Sequence, residues 1–412
     1  MTGRPGPAAT IDAVYRAEFG RALATVARTV GDIGLAEDAV QEAFADAVRT
    51  WPERGLPSNP GAWITTAARN RALDRLRRES VRASKEFDAV RARAPSEEEV
   101  VSAVPDDQLR MMFACCHPAL ARPAQVALTL RLVCGLRTAE IARAFLQPEQ
   151  TVAQRLTRAK AKIRRAGIPL RVPPAHLMPE RVPGVLACVY LVFTEGYCAT
   201  SGPTAVRDEL CDEALRLGRL LCRLLPREPE TRALLALMLL QDSRREQRRR
   251  ADGESVPLEE QDRARWDHAM IRAGLACLRS AEADGSGPYL AQARIAAAHA
   301  TAPTWERTDW HAVVAGYDEL LRLTPSPAVS VNRAVAVGFS RGFDAGLAAL
   351  DEVARDPRSA GSHVIDATRA DLLRRGGRPR EAVPHYRAAL ELAGNDQVRR
   401  FLARRLAECE SA

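Results

Sequence analysis

Apolar residues recur at intervals of three and four along most of this 412-residue chain. Leu23, Val26 and Val30 show this spacing near the N-terminus, and Val40 and Phe44 continue it. The spacing places apolar side chains on one face of successive helices. The alternation of apolar and polar residues that indicates a half-buried strand is hard to find anywhere in the chain. We therefore predict an all-α protein.

The composition excludes several classes of protein. Hydrophobic residues make up 46% of the chain and charged residues 27%, which argues against a disordered, collagen-like or membrane-spanning protein. The longest apolar runs, residues 185–193 and 233–240, are far shorter than the roughly 20 residues needed to cross a bilayer. Residues 1–10 lack the charged start and apolar stretch of a secretory signal. The nine scattered cysteines fit reduced, buried thiols, so we expect a cytoplasmic protein with no membrane span.

Breaks in the helical pattern divide the chain. Residues 81–105 lose the pattern and contain an Ala-Pro-Ser tripeptide followed by three glutamates, which is typical of a tether. Residues 169–183 contain five prolines, which prevent one continuous helix. We predict a helical unit at 10–80, a linker at 81–105, a second helical unit at 106–168, a proline-rich linker at 169–183 and a helical extension at 184–412.

The net charge of +8 is unevenly distributed. Residues 69–85 contain seven basic and two acidic residues, and residues 137–165 contain eight and two, so these stretches carry +5 and +6 while the rest of the chain carries −3. A single basic run is usually a solvated helix face. Two such runs with helical periodicity favour two separate sites for a polyanion.

The second basic stretch predicts a helix-turn-helix. A short helix starts near Thr138, and Pro148 suits the first turn of the next helix. On that second helix one apolar stripe is formed by Val152, Leu156, Ala159 and Ile163. Gln and Arg side chains can bond base edges, and Lys and Arg can bind phosphates. A purely structural helical hairpin is the alternative, but we predict a major-groove recognition helix with these DNA-facing candidates: Glu149, Gln150, Thr151, Gln154, Arg155, Arg158, Lys160 and Lys162.

The first basic stretch combines a tryptophan with cationic side chains on one predicted helix, residues 63–78. Its apolar side is formed by Ile64, Ala68, Ala72 and Leu76. Aromatic and cationic groups together suit separated DNA strands, through stacking and phosphate contact. Core packing is the alternative for the tryptophan. The candidate DNA-binding residues are Trp63, Thr66, Arg69, Asn70, Arg77 and Arg78.

A third candidate surface precedes them. The helix around residues 36–48 carries Val40, Phe44 and Val48 on one side. Its other side carries polar residues that suit docking of a protein partner: Glu37, Asp38, Gln41, Glu42 and Asp46.

The C-terminal part contains an internal repeat. Small or apolar residues recur 36 positions apart, with Ala334, Gly346, Leu350 and Val353 matched by Ala370, Ala382, Tyr386 and Ala389. A helix pair of about this length, with small residues that allow close packing, resembles the tetratricopeptide repeat.

The ordered set of the polar helix, the basic helix at 63–78, the linker and the helix-turn-helix resembles regions 2 and 4 of an extracytoplasmic-function sigma factor of the sigma-70 family. This resemblance covers about residues 10–168. It implies that Asp38, Gln41 and Glu42 bind the β′ clamp of core RNA polymerase and that region 4 meets the β flap. It also implies that the 63–78 helix recognises and helps to melt the −10 promoter element, and that the helix after Pro148 reads the −35 element.

Residues 193–202, 239–245 and 258–266 resemble one group of these factors, which carries a long tetratricopeptide-like extension. The resemblance implies that the extension regulates the factor in place of a dedicated anti-sigma protein. Genes for small DGPF/YCII-like proteins are typical neighbours in this group, so such a protein is a candidate partner.

Two other functions compete with the sigma factor. The first is a helix-turn-helix transcriptional regulator with a repeat-type sensor domain, which would need only one DNA-binding unit and usually a dimer. The second is an enzyme within residues 185–412, suggested by Glu195, Tyr197 and Ser201, although no residue is placed to complete a catalytic triad. Cys115, Cys116 and His117 lack the spacing of a metal site. The chain also has neither phosphate-binding glycine motif, so we predict no cofactor, no metal and no catalysis.

Overall fold

The computed structural model describes residues 7–83, 104–145, 147–198, 204–248, 256–359, 363–393 and 396–411. Within these ranges the chain forms α-helices, short helical turns and connecting loops, with no strand. The prediction of an all-α protein is therefore confirmed. None of the helices in these ranges is long and apolar enough to cross a bilayer. Most of the predicted linker at 81–105 lies outside the described residues.

The chain divides into two compact units, Met1–Leu224 and Leu225–Ala412. The first unit contains nine α-helices in its described residues, together with a short π-helix at Thr129–Val133 and a 3-10 turn at Ala175–Leu177. They are α1 (Pro7–Val30), α2 (Ile33–Arg54), α3 (Pro60–Ala83), α4 (Val104–Cys115), α5 (Arg122–Leu128), α6 (Thr138–Ala144), α7 (Glu149–Arg165), α8 (Met178–Cys198) and α9 (Thr204–Leu224).

Helices α1, α2 and α3 pack around a shared apolar core that includes Leu23, Phe44 and Ile64. The turn from α1 to α2 is tight because Gly31 adopts a φ of +73°, which other residues rarely tolerate. Val48 was expected in this core but is 56% exposed. A step of four residues turns a helix by about 400°, so positions 40, 44 and 48 drift progressively away from the core.

Helices α6 and α7 form the predicted helix-turn-helix. All four residues of the predicted apolar stripe on α7 are buried, as the spacing required. The proline-rich stretch at 169–183 stays irregular as far as Pro174, and α8 then begins inside it at Met178. Pro179 falls in the first turn of α8, where a missing N–H leaves no hydrogen bond unmade.

Helices α8 and α9 pack against α4, α5 and α6 within the first unit. The Cys188 thiol on α8 donates to Thr129 Oγ1 at 3.4 Å, and both groups are buried. Arg122 Nη1 donates to the carbonyl of Gly184 at 3.2 Å. These two helices therefore complete the core behind the helix-turn-helix.

The second unit continues with α10 (Pro229–Asp242), α11 (His268–Asp284), α12 (Pro288–Thr301), α13 (Trp310–Leu323), α14 (Pro327–Arg341), α15 (Phe343–Ala354), α16 (His363–Arg375), α17 (Pro379–Leu392) and α18 (Asp396–Glu410). Each helix from α12 onward packs against the next one along the chain. The two copies of the 36-residue repeat are the pairs α14–α15 and α16–α17. A Cβ atom at Gly346 would lie 2.8 Å from Gly338 Cα, so the small residues at these positions are what lets α14 and α15 approach.

Candidate nucleic-acid interface

The recognition helix α7 presents most of its predicted DNA-facing side chains to solvent. Arg155 and Lys160 are half-buried, and the remaining candidates are exposed, namely Glu149, Gln150, Thr151, Gln154, Arg158 and Lys162. Pro148 precedes the helix, and its carbonyl accepts from the Thr151 and Val152 N–H groups. The first turn of α7 is therefore well formed and open, as entry into a major groove requires.

Helix α3 presents its polar candidates on an open surface. Thr66, Asn70, Arg77 and Arg78 are exposed, while Trp63 and Arg69 are half-buried. The Trp63 ring meets Trp51 edge-on with 5.5 Å between centroids, and Trp51 is itself buried. Trp63 is thus braced by the core on one side and partly open on the other, an arrangement that permits stacking on a base.

Two arginines of the first basic stretch form ion pairs with α2. Arg71 bonds Asp46 and lies 3.3 Å from Glu42 Oε2, and Arg75 bonds Glu42. Arg75 Nη1 also lies 3.8 Å from Asp38 Oδ2. Sequence reasoning counted both arginines among the charge available to a polyanion. The structure instead uses them to tie α3 to α2, because residues four apart share one helix face.

On α2, Asp38 and Gln41 are exposed and Glu42 is half-exposed, so these three predicted partner-binding residues form one accessible polar strip. The Gln41 amide donates to Glu37 Oε1 at 3.1 Å. Glu37 was expected on the same exposed face. It is instead buried, with 4% of its surface accessible.

Glu37 joins two cations from distant parts of the chain. Its Oε1 accepts from Arg131 Nε at 2.6 Å, and its Oε2 accepts from Lys160 Nζ at 2.9 Å. Arg131 also donates to the Leu136 carbonyl at 3.0 Å and to the Tyr15 hydroxyl at 3.3 Å. We call Glu37, Arg131 and Lys160 the charge triad. It links α2 to both the π-helix and the recognition helix.

Burial and charge oppose each other in the charge triad. Burial alone would raise the pKa of Glu37, but the cations of Arg131 and Lys160 outweigh it and hold that pKa below its usual range. Burial would likewise lower the pKa of Arg131, and Glu37 reverses that effect. Burial raises the pKa of the nearby Tyr15 hydroxyl. Glu37 is therefore an ionised, fully paired carboxylate at neutral pH.

Further contacts join the same two parts of the first unit. Asp12 on α1 accepts from Arg137 Nη2 at 2.7 Å, and Arg28 pairs with Asp107 at 2.9 Å. A Cβ atom at Gly20 would lie only 2.1 Å from the Val133 carbonyl oxygen, so α1 rests directly on the backbone of the π-helix. Arg131 and Lys160 are 94 and 123 residues from Glu37 in sequence. No local pattern signals such a pairing.

The other groups singled out in the sequence are parts of packed regions. Cys115 and Cys116 are buried, and burial raises the pKa of the Cys115 thiol well above its usual range. Burial also raises the pKa of Glu195. On the same helix Phe193 and Tyr197 stack with centroids 5.3 Å apart. Ser201, the remaining member of the candidate catalytic cluster, lies outside the described residues.

Comparison with known families gives three matches in chain order. Residues 14–82 match Sigma-70 region 2, and residues 110–163 match Sigma-70, region 4. Residues 181–282 match a family of unknown function, DUF6596. The region 2 match speaks against an ordinary helix-turn-helix regulator, which would need only the second of these units. The comparisons give no support to a DGPF/YCII-like partner.

Similar proteins cover the chain to different extents. "Uncharacterized protein R00370" of Rhizobium meliloti is 42% identical over 91% of this chain and 90% of its own length. The "Probable ECF RNA polymerase sigma factor SigI" of Mycobacterium tuberculosis is 29% identical over 40% of this chain and 58% of its own length. The "ECF RNA polymerase sigma factor SigK" of Mycobacterium ulcerans is 27% identical over 40% of this chain and 97% of its own length.

These matches agree with the geometry. The region 2 match covers α2 and α3, and the region 4 match covers the helix-turn-helix. Most of the SigK sequence aligns with only 40% of this chain, so this chain is far longer than a sigma factor of that kind. The chain belongs to the extracytoplasmic-function group of the sigma-70 family, a family of non-enzymatic transcription initiation factors, and it carries a long C-terminal helical extension.

Proposed function

We propose that the free protein is a closed sigma factor, which must separate region 2 from region 4 before it can use both of its DNA-reading helices. The observation that carries this proposal is that buried Glu37 of region 2 holds both Arg131 and Lys160 of region 4. In this arrangement Lys160 faces a carboxylate of its own chain, although its position on α7 also suits a DNA phosphate.

The roles of the site residues follow from the family and from their exposure. In this proposal Asp38, Gln41 and Glu42 bind the β′ clamp of core RNA polymerase, and region 4 meets the β flap. The second set recognises the −10 element and helps to melt it, and consists of Trp63, Thr66, Arg69, Asn70, Arg77 and Arg78. The third set reads the −35 element, and consists of Glu149, Gln150, Thr151, Gln154, Arg155, Arg158, Lys160 and Lys162.

A distance argument supports the need for opening. The names of the two promoter elements place them about 25 base pairs apart, which is roughly 85 Å of duplex at about 3.4 Å per base pair. A compact body of 224 residues has a radius of gyration of about 17 Å and hence a diameter of roughly 45 Å. Helices α3 and α7 within one such body cannot reach both elements at once.

In this proposal the extension regulates this opening through its first two helices. Arg216 on α9 donates to the Val133 carbonyl at 3.4 Å, and Gly20 on α1 packs against that same carbonyl. The π-helix is thus held between region 2 and the extension. In this proposal α8 and α9 act as part of the DNA-binding unit, and the rest of the extension acts on the factor through them.

The deciding experiment is run-off transcription with purified core polymerase, the full chain and a candidate promoter. The proposal predicts promoter-dependent transcripts. It also predicts that variants which weaken the charge triad raise the fraction of open factor in the absence of polymerase. Failure of the full chain to bind core polymerase would refute the role in initiation. If the factor initiates transcription while the distance between α3 and α7 stays unchanged, the closed form is refuted but the role in initiation is not.

A further inference from the structure

One face of the second unit is built from alternate helices. His299 lies in the last turn of α12, Phe339 lies near the end of α14, Arg375 ends α16 and Arg405 lies on α18, while Trp310 begins α13 beside them. The Trp310 ring lies 5.4 Å from His299 and stacks on Phe339 at 4.4 Å. The Arg375 guanidinium lies 5.2 Å from the Phe339 ring centroid. Alternate helices of a stacked repeat share a surface that such proteins use for binding. We call these five residues the repeat face.

A segment of the same chain, residues 258–266, contacts three of the five residues of the repeat face. Glu259 Oε1 accepts from Arg375 Nη2 at 2.8 Å, and Glu260 Oε1 accepts from Arg405 Nη2 at 3.3 Å. At the other end, Arg263 Nη1 donates to the His299 carbonyl at 2.5 Å. The segment therefore runs from α18 to α12 and is held by side chains that are 116 and 145 residues away from its glutamates.

The recognition depends on carboxylates that meet sheltered guanidinium groups. The side chains of Arg375 and Arg405 are only 20% and 11% exposed, so their ion pairs are less screened than pairs on the surface. Each arginine also bonds a carboxylate of its own helix, Asp371 or Glu408, with another nitrogen of its fork. An arginine fork has enough donors for both. The remaining N–H groups of the two guanidinium groups are arranged to bind two adjacent carboxylates.

The segment satisfies this face incompletely. Four buried nitrogens of the segment and the face have no hydrogen-bond partner within the described structure: Arg263 Nη2, Trp266 Nε1, His299 Nδ1 and Arg405 Nε. A buried donor without an acceptor weakens the complex that contains it. Two of these donors belong to the segment and not to the face. A different ligand with the same carboxylates would avoid that loss.

We propose that the repeat face is a docking site for an acidic peptide segment of a partner protein, with an aliphatic residue followed by two carboxylates as in Leu258, Glu259 and Glu260. Residues 258–266 occupy this site as a built-in competitor. The partner must displace this segment in order to bind, so acidic ligands that bind only weakly are excluded from the repeat face. This site is separate from the DNA-reading helices and does not depend on the closed form of the first unit.

The competition has a definite size. A segment tethered in the same chain acts at an effective concentration of about 1 mM. A free peptide with an intrinsic Kd of about 10 µM would then appear about 100-fold weaker in the wild-type chain, because it must displace the segment. Removing the two carboxylates of the segment removes most of this competition. The variant should therefore bind the same peptide at least about tenfold more tightly.

The test uses a fluorescein-labelled peptide with the sequence of residues 256–262 and measures its anisotropy on titration with the full-length protein. We expect E259Q/E260Q to bind it at least about tenfold more tightly than wild type. Adding R375Q/R405Q to that variant should abolish the gain, and a peptide with both glutamates replaced by glutamine should not bind. The matched control E352Q/E391Q, which neutralises two exposed acids of the same unit, should behave as wild type.

No gain in E259Q/E260Q with an unchanged helical circular dichroism spectrum would overturn the proposal, as would equal binding of the two peptides. A second measurement on the wild-type chain covers the case in which the variant fails to fold. An excess of the unlabelled peptide, which contains no trypsin site, should speed tryptic cleavage after Arg263 and Arg265 by displacing the segment. Cleavage at an unchanged rate would likewise overturn the proposal.

Discussion

Replacing Glu37 by glutamine tests the closed form most directly. The substitution keeps the size of the side chain but removes the charge that Arg131 and Lys160 share. Breaking a buried ion pair by removing one partner costs about 3–5 kcal/mol. Arg131 keeps its bonds to the Leu136 carbonyl and the Tyr15 hydroxyl, and glutamine can still accept one hydrogen bond. We therefore expect the lower end of that range, about 3 kcal/mol.

A loss of about 3 kcal/mol corresponds to a shift of roughly 150-fold in the equilibrium between closed and open forms. The assay is a distance distribution between spin labels on unnatural amino acids at Arg54 and Arg165, two exposed positions at the ends of α2 and α7. The wild-type chain should give one short distance. The E37Q variant should add a second population at longer distance, and core polymerase should produce that population in both proteins.

The control is R137A, which breaks the exposed pair with Asp12, whose side chains are 60% and 42% accessible. Exposed pairs contribute about 0–1 kcal/mol, so this variant should keep the single short distance. An unchanged distance distribution in E37Q, with its helical content intact, would refute the argument that the charge triad holds region 4 against region 2.

Three further predictions concern DNA contacts, packing and pH. R155A should weaken binding at one promoter element selectively, whereas K162A should weaken binding to all sequences and reduce the slope of log affinity against log salt concentration by about 1. Equal effects of the two variants in binding titrations at several salt concentrations would contradict these roles. G20A should destabilise the first unit by about 1–3 kcal/mol in urea titrations because its methyl group would overlap a π-helix carbonyl. The control G184A should leave the stability unchanged, because a methyl group at that position has ordinary van der Waals clearance. The folded pKa of Glu37 is lowered, so the stability that its ionised form contributes is complete above its unfolded pKa of about 4.3 and is lost as pH falls through the folded pKa. Thermal melts from pH 7 to pH 3 should show this loss of stability in wild type and a smaller loss in E37Q.

Helical periodicity carried most of the information about the fold. The stripe on α7 could be predicted because the i, i+4 and i+7 positions of one helix need no knowledge of what packs against them. Val48 shows the limit of the same argument, since each step of four residues turns the helix about 40° beyond a full circle and position 48 is thereby carried out of the core. The end of the predicted linker at 169–183 posed a different problem. The prolines of residues 178–183 indicated a linker, yet these residues begin α8, which belongs to the first unit because its apolar face closes the core over Thr129.

The candidate site was predictable only where a side chain acts by being exposed. Asp38 and Gln41 could be placed on an outer face from helix spacing alone. Glu37, one position earlier, could not be recognised as buried, because its two cations come from other helices. The charge count of residues 69–85 likewise included Arg71 and Arg75, which pair with carboxylates of α2, since a basic residue that faces DNA and one that faces a carboxylate of the next helix look identical in sequence. A local excess of positive charge predicts a negatively charged partner, but it does not show whether that partner is DNA or a carboxylate of the same chain.

In the proposed function, closure and promoter binding compete for Lys160. Its ammonium group bonds buried Glu37 in the closed form and would neutralise a phosphate beside the −35 element in the open form, and it cannot do both in one geometry. Because coupling between two equilibria is reciprocal, closure must weaken −35 binding by the same factor by which −35 DNA favours opening. Lys162, two positions along the same helix and exposed, has no such conflict. The difference between K160M and K162M in the binding of isolated −35 duplex therefore measures the coupling. If both variants lose affinity equally and neither changes the distance between α2 and α7, Lys160 is an ordinary phosphate contact and the charge triad has no part in promoter recognition.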